Sequence, residues 1–245
     1  MPEPPPVIRM VLPVNFMLPL KVDNENIVVK GNMLHSGSEK CKLVQMKVLP
    51  RPYHHGNLRE ALLKAAERAL ENGGLQSMSL RELSRELGVT HASPRRHFAD
   101  KQDLIDALAV RGFERMDAIL SRAAKNNGQV FKTRLTKFAR AYVGFALKHP
   151  ALCGLMFDAK HRPGAPKELL QASDKAFSHG RALFADGQAS GEVVEGDPNR
   201  LALVAYASLQ GLISISTDGK FKGISLDTLV PEIMDRIILG LSPRN

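Results

Sequence analysis

Beyond residue 57 the apolar positions of the chain fall at helical spacing. Leu58, Leu62, Ala65, Ala66 and Ala69 share one face of a predicted helix, with Asn57 as its cap, Glu60 at the third helical position and Gly73-Gly74 as its stop. Leu80, Leu83 and Leu87 make a second, shorter stripe. Ser79 and Glu82 open it in capping-box spacing, and Gly88 stands where a helix end takes a left-handed residue. Val89 plugs the turn, and Thr90 caps an expected third helix running to about residue 98. That helix is polar and basic, carrying His91, Ala92, Ser93, Arg95, Arg96 and His97. Asp100 caps a long helix over about 101–125 that buries Leu104, Ile105, Leu108 and Met116.

The pattern stays helical to the end. Phe131, Leu135, Phe138, Tyr142 and Phe145 mark a helix over about 129–148, ended by His149-Pro150, and 151–157 is a short apolar helix. Leu169, Leu170, Phe177, Leu183 and Phe184 face inward on 166–188. Asp197 and Pro198 start the next helix, 198–217, which is apolar nearly all round. The last, about 226–239, offers Leu229, Val230, Ile233, Ile237 and Ile238. Helices this apolar need cover on more than one side, which predicts a partner subunit on 198–217 and 226–239. The fold class expected is therefore all-α with about nine helices: a three-helix domain over 51–105 and a larger helical domain over 106–245.

Residues 1–50 break this order. Pro2, Pro4, Pro5, Pro6, Pro13, Pro19 and Pro50 leave no helical period, and a flexible arm is expected, with a short strand over 26–34 at most. The apolar stretch 7–20 lacks the continuity and cleavage site of a signal peptide. Translation starting natively at Met46 would make 1–45 an over-extended start; a native peptide from within residues 2–40 would exclude that.

Composition narrows the function. The formal net charge is +9 over 245 residues, which suits a polyanionic partner such as nucleic acid, although a merely basic globular protein shares it. Cys41 and Cys153 are far apart and give neither a disulfide framework nor zinc spacing, so a reducing cytoplasm is expected. No apolar run is long enough for a membrane span. Adjacent His54 and His55 point apart and lack a third ligand. There is no Gly-rich phosphate loop after a strand, no HExxH and no GxSxG. No enzyme activity, metal or cofactor is expected.

Helix, Gly turn and basic helix over 79–98 is the pattern of a helix-turn-helix, whose second helix lies in the DNA major groove; a helical hairpin in an ordinary core shares it. Lys101 in the first turn of the following helix meets exposed N–H groups and the positive helix end, a place that favours a phosphate. The segments NLREALLKAAERALENGG and SMSLRELSRELGVTHASPRRHFADKQDLIDAL, over about 53–115, resemble the N-terminal domain of TetR/AcrR-family transcriptional regulators. HPALCGLMFD is similar, less specifically, to the C-terminal domain of one branch of that family. The resemblance implies DNA contact through Ser79, Thr90, His91, Ala92, Ser93, Arg95, Arg96 and His97, and a phosphate contact from Lys101. Arg95 stands where the family often has tyrosine, which leaves the contact pattern open.

The resemblance also implies a homodimer through the last two helices, a palindromic double-stranded DNA operator and a small-molecule effector. Phe138, Tyr142, Phe145, Met156, Phe157 and Phe177 are the expected lining of the effector cavity, with Tyr142, His149, His161 and His179 as candidate polar groups. For any one of these residues taken singly, plain core packing is the better reading; as a group they resemble the family's cavity. Repression by a ligand-responsive regulator is the leading expectation. A helical protein-interaction module and a DNA-binding protein without an effector are the alternatives.

Overall fold

The structure is a computed structural model and describes residues 58–217 and 225–241. The arm over 1–50, the 26–34 strand, the Met46 start, Cys41, His54, His55 and the Asn57 cap lie outside the described residues. Eight α-helices follow one another: α1 (Leu58–Gly73), α2 (Leu80–Glu86), α3 (Lys101–Ala124), α4 (Phe131–Lys148), α5 (Pro150–His161), α6 (Lys167–Ala189), α7 (Pro198–Thr217) and α8 (Leu226–Leu241). Two short 3-10 turns, Leu75–Ser77 and Pro94–Arg96, complete the secondary structure of the described residues, which contain no strand.

The expected helix over 90–98 is the 3-10 turn, and Pro94 is the reason. With Thr90 as cap, the first i→i−4 bond would run from the N–H of residue 94 to the Thr90 carbonyl, and proline has no N–H. The chain makes tighter bonds instead: Ser93 N–H donates to the Thr90 carbonyl at 3.0 Å, Arg96 N–H to that of Ser93 at 3.3 Å and His97 N–H to that of Pro94 at 2.9 Å. This accounts for eight α-helices where nine were expected. The capping box at the start of α2 is also unmade. Ser79 has the extended backbone of a cap, φ −122° and ψ 130°, but its hydroxyl accepts no bond from the helix. The end of α2 is as predicted. Gly88 sits at φ 65°, which lets Val89 N–H reach back to the Ser84 carbonyl at 3.0 Å and close the helix end.

The core is built on α3. Asp100 caps it by accepting from Asp103 N–H at 2.9 Å, and the Asp103 carboxylate accepts from Ala99 N–H at 3.0 Å. Leu104, Leu108, Phe113, Met116 and Leu120 follow at spacings of three to five residues and are fully buried. Around this face lie α1, α4, α5 and α6. Gly112 lets α5 come close: a β-carbon there would meet Met156 Cγ at 2.8 Å and its Sδ closer still. At the other end of the chain, Pro231 lies inside α8 and deprives the Asp227 carbonyl of its helical donor. Arg140 of α4 fills that gap, its guanidinium donating to the Asp227 carbonyl at 3.1 Å.

Cys153 on α5 is buried, and burial pushes its thiol up to about 12. Its thiolate is therefore scarce at neutral pH. We expect iodoacetamide at pH 8 to leave Cys153 unmodified in the native protein and to alkylate it fully in guanidinium, read by peptide mass mapping. Equal rates in the two states would contradict the packing of α5.

Candidate functional site

Between α2 and α3 the chain alternates anchors and exposed residues. Pro94 and Phe98 are buried, four residues apart, and hold the 3-10 turn down. The Arg59 guanidinium from α1 covers the Phe98 ring at 5.4 Å from its centroid. Arg95, Arg96 and His97, between the anchors, are exposed, as are Thr90, His91 and Ala92. Ser93 is half-buried, its hydroxyl 2.8 Å from that of Thr90, and Ser79 is half-buried at the head of α2. Lys101 is exposed at the start of α3, and its amine donates to the Leu75 carbonyl at 2.6 Å. Among the described residues none of Arg95, Arg96 and Lys101 forms an ion pair. Arg81 and Arg85 of α2 are exposed too; on a short amphipathic helix such residues carry no signal beyond a solvated face.

Polar links tie this headpiece to the rest. Arg111 of α3 pairs with Glu60 of α1 at 3.0 Å, and Arg162 pairs with Asp106 at 2.7 Å. Arg115 donates to Glu67 of α1 and, at 3.1 Å, to Nε2 of His149 between α4 and α5. Arginine only donates, so Nε2 accepts and the neutral ring carries its proton on Nδ1, 3.7 Å from the Glu71 carboxylate. Glu67, Glu71 and His149 bring one ligand atom each within 4.8 Å of the others. Arg115 already supplies the positive charge there, so the cluster reads as a latch between helices. His149 is a link, not the cavity group expected of it. His179 is another: its Nε2 lies 2.7 Å from the Asp117 carboxylate, joining α6 to α3. Burial works to raise the Asp117 carboxyl, but His179 and Lys175 outweigh it and hold it below the usual carboxylate range.

A cavity of about 590 Å³ opens between α3, α4, α5, α6 and α7. Phe138, Tyr142 and Phe177 line it, together with Phe184, Tyr206 and Leu209. Leu170 is exposed to this space and not packed inward as expected. Phe145, Met156 and Phe157 do not line it. Phe145 packs under Arg115, Met156 fills the space beside Gly112, and Phe157 stands behind Phe177 at 6.2 Å between centroids. Tyr142 is buried, which pushes its hydroxyl well above the usual range, and it donates to Gln210 Oε1 at 2.8 Å. Of the expected histidines, only His161 reaches the cavity. Its charged groups Lys160, Asp174 and Arg181 are not marked as cavity residues by the sequence, because charged residues on helices read as solvated. Lys160 stands three residues after Phe157, the spacing that lays its stem over that ring.

Residues 62–108 match the family described as bacterial regulatory proteins, tetR family, and 135–240 match the tetracyclin repressor-like C-terminal domain. A protein of unknown function from Rhodococcus sp. RHA1 is similar at 40% identity and a TM-score of 0.74, over 79% of this chain and 100% of that one. The TetR family transcriptional regulator PfmR from Thermus thermophilus shares the fold at 18% identity and a TM-score of 0.58, over 74% and 99% of the two chains. A TetR family transcription regulator from Marinobacter aquaeolei VT8 does so at 16% identity and a TM-score of 0.61, over 76% and 96%. No curated protein matches the chain.

Proposed function

Because the chain belongs to the tetR family of bacterial regulatory proteins, we propose that it is a ligand-responsive repressor that binds a palindromic DNA operator as a homodimer. The observation that carries the reading is the set of exposed cations without an ion pair: Arg95 and Arg96 on the turn after α2, and Lys101 at the start of α3. An unpaired surface cation beside DNA releases a counterion and adds to affinity. Ser79, Thr90, His91, Ala92, Ser93 and His97 flank these charges and complete the DNA-facing set. Two such surfaces in a dimer, about 34–36 Å apart, read half-sites one helical turn from each other. Exposed Leu203, Val204 and Ile215 on α7 and Leu239 on α8 support pairing of the last two helices across a two-fold axis.

The effector enters the 590 Å³ cavity, a size within the range of small-molecule sites. Phe138, Tyr142 and Phe177 contact it directly. It acts by binding unequally to two arrangements of the dimer, of which only one fits the operator spacing. Among the described residues no helix is long and apolar enough to cross a membrane, and the cytoplasm is the compartment this reading requires.

The test starts with footprinting on the protein's own upstream region. On the protected site, Lys101→Ala is expected to weaken binding to all sequences alike and to flatten the slope of log affinity against log salt by about one. An unchanged slope would remove Lys101 from the interface.

A further inference from the structure

We propose that the cavity selects an amphipathic monoanion: an apolar body carrying one carboxylate, which Lys160 holds. The proposal rests on the effector-cavity reading and deepens it. Four charged or titratable groups of ordinary cationic or acidic type face the space: Lys160, His161, Asp174 and Arg181. Asp174 and Arg181 pair with each other at 2.9 Å, and Asp174 is largely exposed. Lys160 is left over. Among the described residues it forms no ion pair; its amine sits instead 5.0 Å from the Phe177 ring centroid and 5.5 Å from that of Phe157.

Rings attract an ammonium but leave its three N–H donors unfilled. Burial disfavours this charge, and the field of Asp174 only partly opposes that. Around a largely apolar wall, interrupted by the uncharged polar groups of Ser173, Asn199, Tyr142 and Tyr206, Lys160 and Arg181 against the one carboxylate of Asp174 leave an uncompensated positive charge. A cationic ligand meets that charge as repulsion. A neutral ligand strips water from Lys160 and gives little back. An anion is the class of ligand that improves the site. One free cation matches one negative charge, which favours a carboxylate over a phosphate dianion. The aromatic and aliphatic wall supplied by Phe138, Phe177, Phe184 and Leu209 takes the apolar body.

Isothermal titration of the full chain with decanoate, decan-1-ol and decylamine, each below its micellar or solubility limit, tests this. A charge-assisted contact should make decanoate bind about 10- to 100-fold more tightly than the other two. Lys160→Met keeps an apolar stem against the rings. It should bring decanoate down to the affinity of decan-1-ol and leave decan-1-ol itself unchanged. Equal or tighter binding of decan-1-ol or decylamine, binding of none of the three, or an acid preference that survives Lys160→Met overturns the proposal. Operator affinity measured alongside keeps the two readings apart. Decanoate binding that leaves DNA affinity unchanged upholds the anion site and removes the effector role. A cavity that prefers decan-1-ol and releases DNA on binding it does the reverse.

Discussion

Phe113→Ala is expected to cost about 3–5 kcal/mol of folding stability, the largest effect of any single substitution considered. The ring is fully buried on α3 and meets Phe157 at 6.0 Å and Phe177 at 6.3 Å, both edge-on. Its removal takes away apolar contact and two favourable aromatic geometries, and helices fixed on several sides cannot collapse onto the gap. Urea unfolding at fixed protein concentration should show a lower midpoint with the slope preserved. A loss under about 1 kcal/mol would mean that α3 is not the centre of the core. Phe177 also lines the cavity, so the same variant should change ligand affinity through a ring it does not itself present.

Replacing Arg95 and Arg96 together by alanine is expected to weaken specific DNA binding by about 2–6 kcal/mol, the sum for two bidentate guanine contacts. Both side chains are exposed and unpaired, and Pro94 and Phe98 anchor the turn without them. Folding stability should therefore stay within about 0.5 kcal/mol of the parent. Binding to the operator and to random duplex separates the two possible roles. An arginine on a base edge weakens only the specific complex, whereas one on a phosphate weakens both and lowers the salt slope. Unchanged affinity for either DNA would leave the headpiece without its proposed role.

What the sequence revealed was local. The α2 helix, the Gly88 stop and the Asp100 cap depend on residues within about two turns of each other, and all three are in place, with Leu83 buried and Leu80 and Leu87 half-buried. Pro94 was equally visible. Its missing N–H falls on the first bond of the expected helix, and the overall motif pattern outweighed that detail. Ser79 and Glu82 have capping-box spacing, but spacing does not aim a hydroxyl. The cavity was legible only in part. Helical period marks Phe138, Phe145 and Met156 alike as inward, whereas free volume depends on which neighbours fill the space. Met156 is spent on the absent side chain of Gly112, and Phe145 on Arg115. Links such as Arg140 to Asp227 join residues 87 positions apart, beyond the reach of any periodicity.

The unbroken run of α3 has a mechanical consequence. Leu120 forms part of the cavity wall, and Lys101 begins the same helix beside the exposed arginines. Nineteen residues at 1.5 Å each make a lever arm of about 28 Å. Pivoting that arm by about 5° at the cavity end swings its tip by roughly 2.5 Å, and two arms related by the proposed two-fold axis would alter their separation by up to about 5 Å, against a groove repeat of about 34–36 Å. In the proposed dimer, a small rearrangement at the cavity end would thereby be enlarged to a misfit of more than one base-pair step at the DNA-facing end.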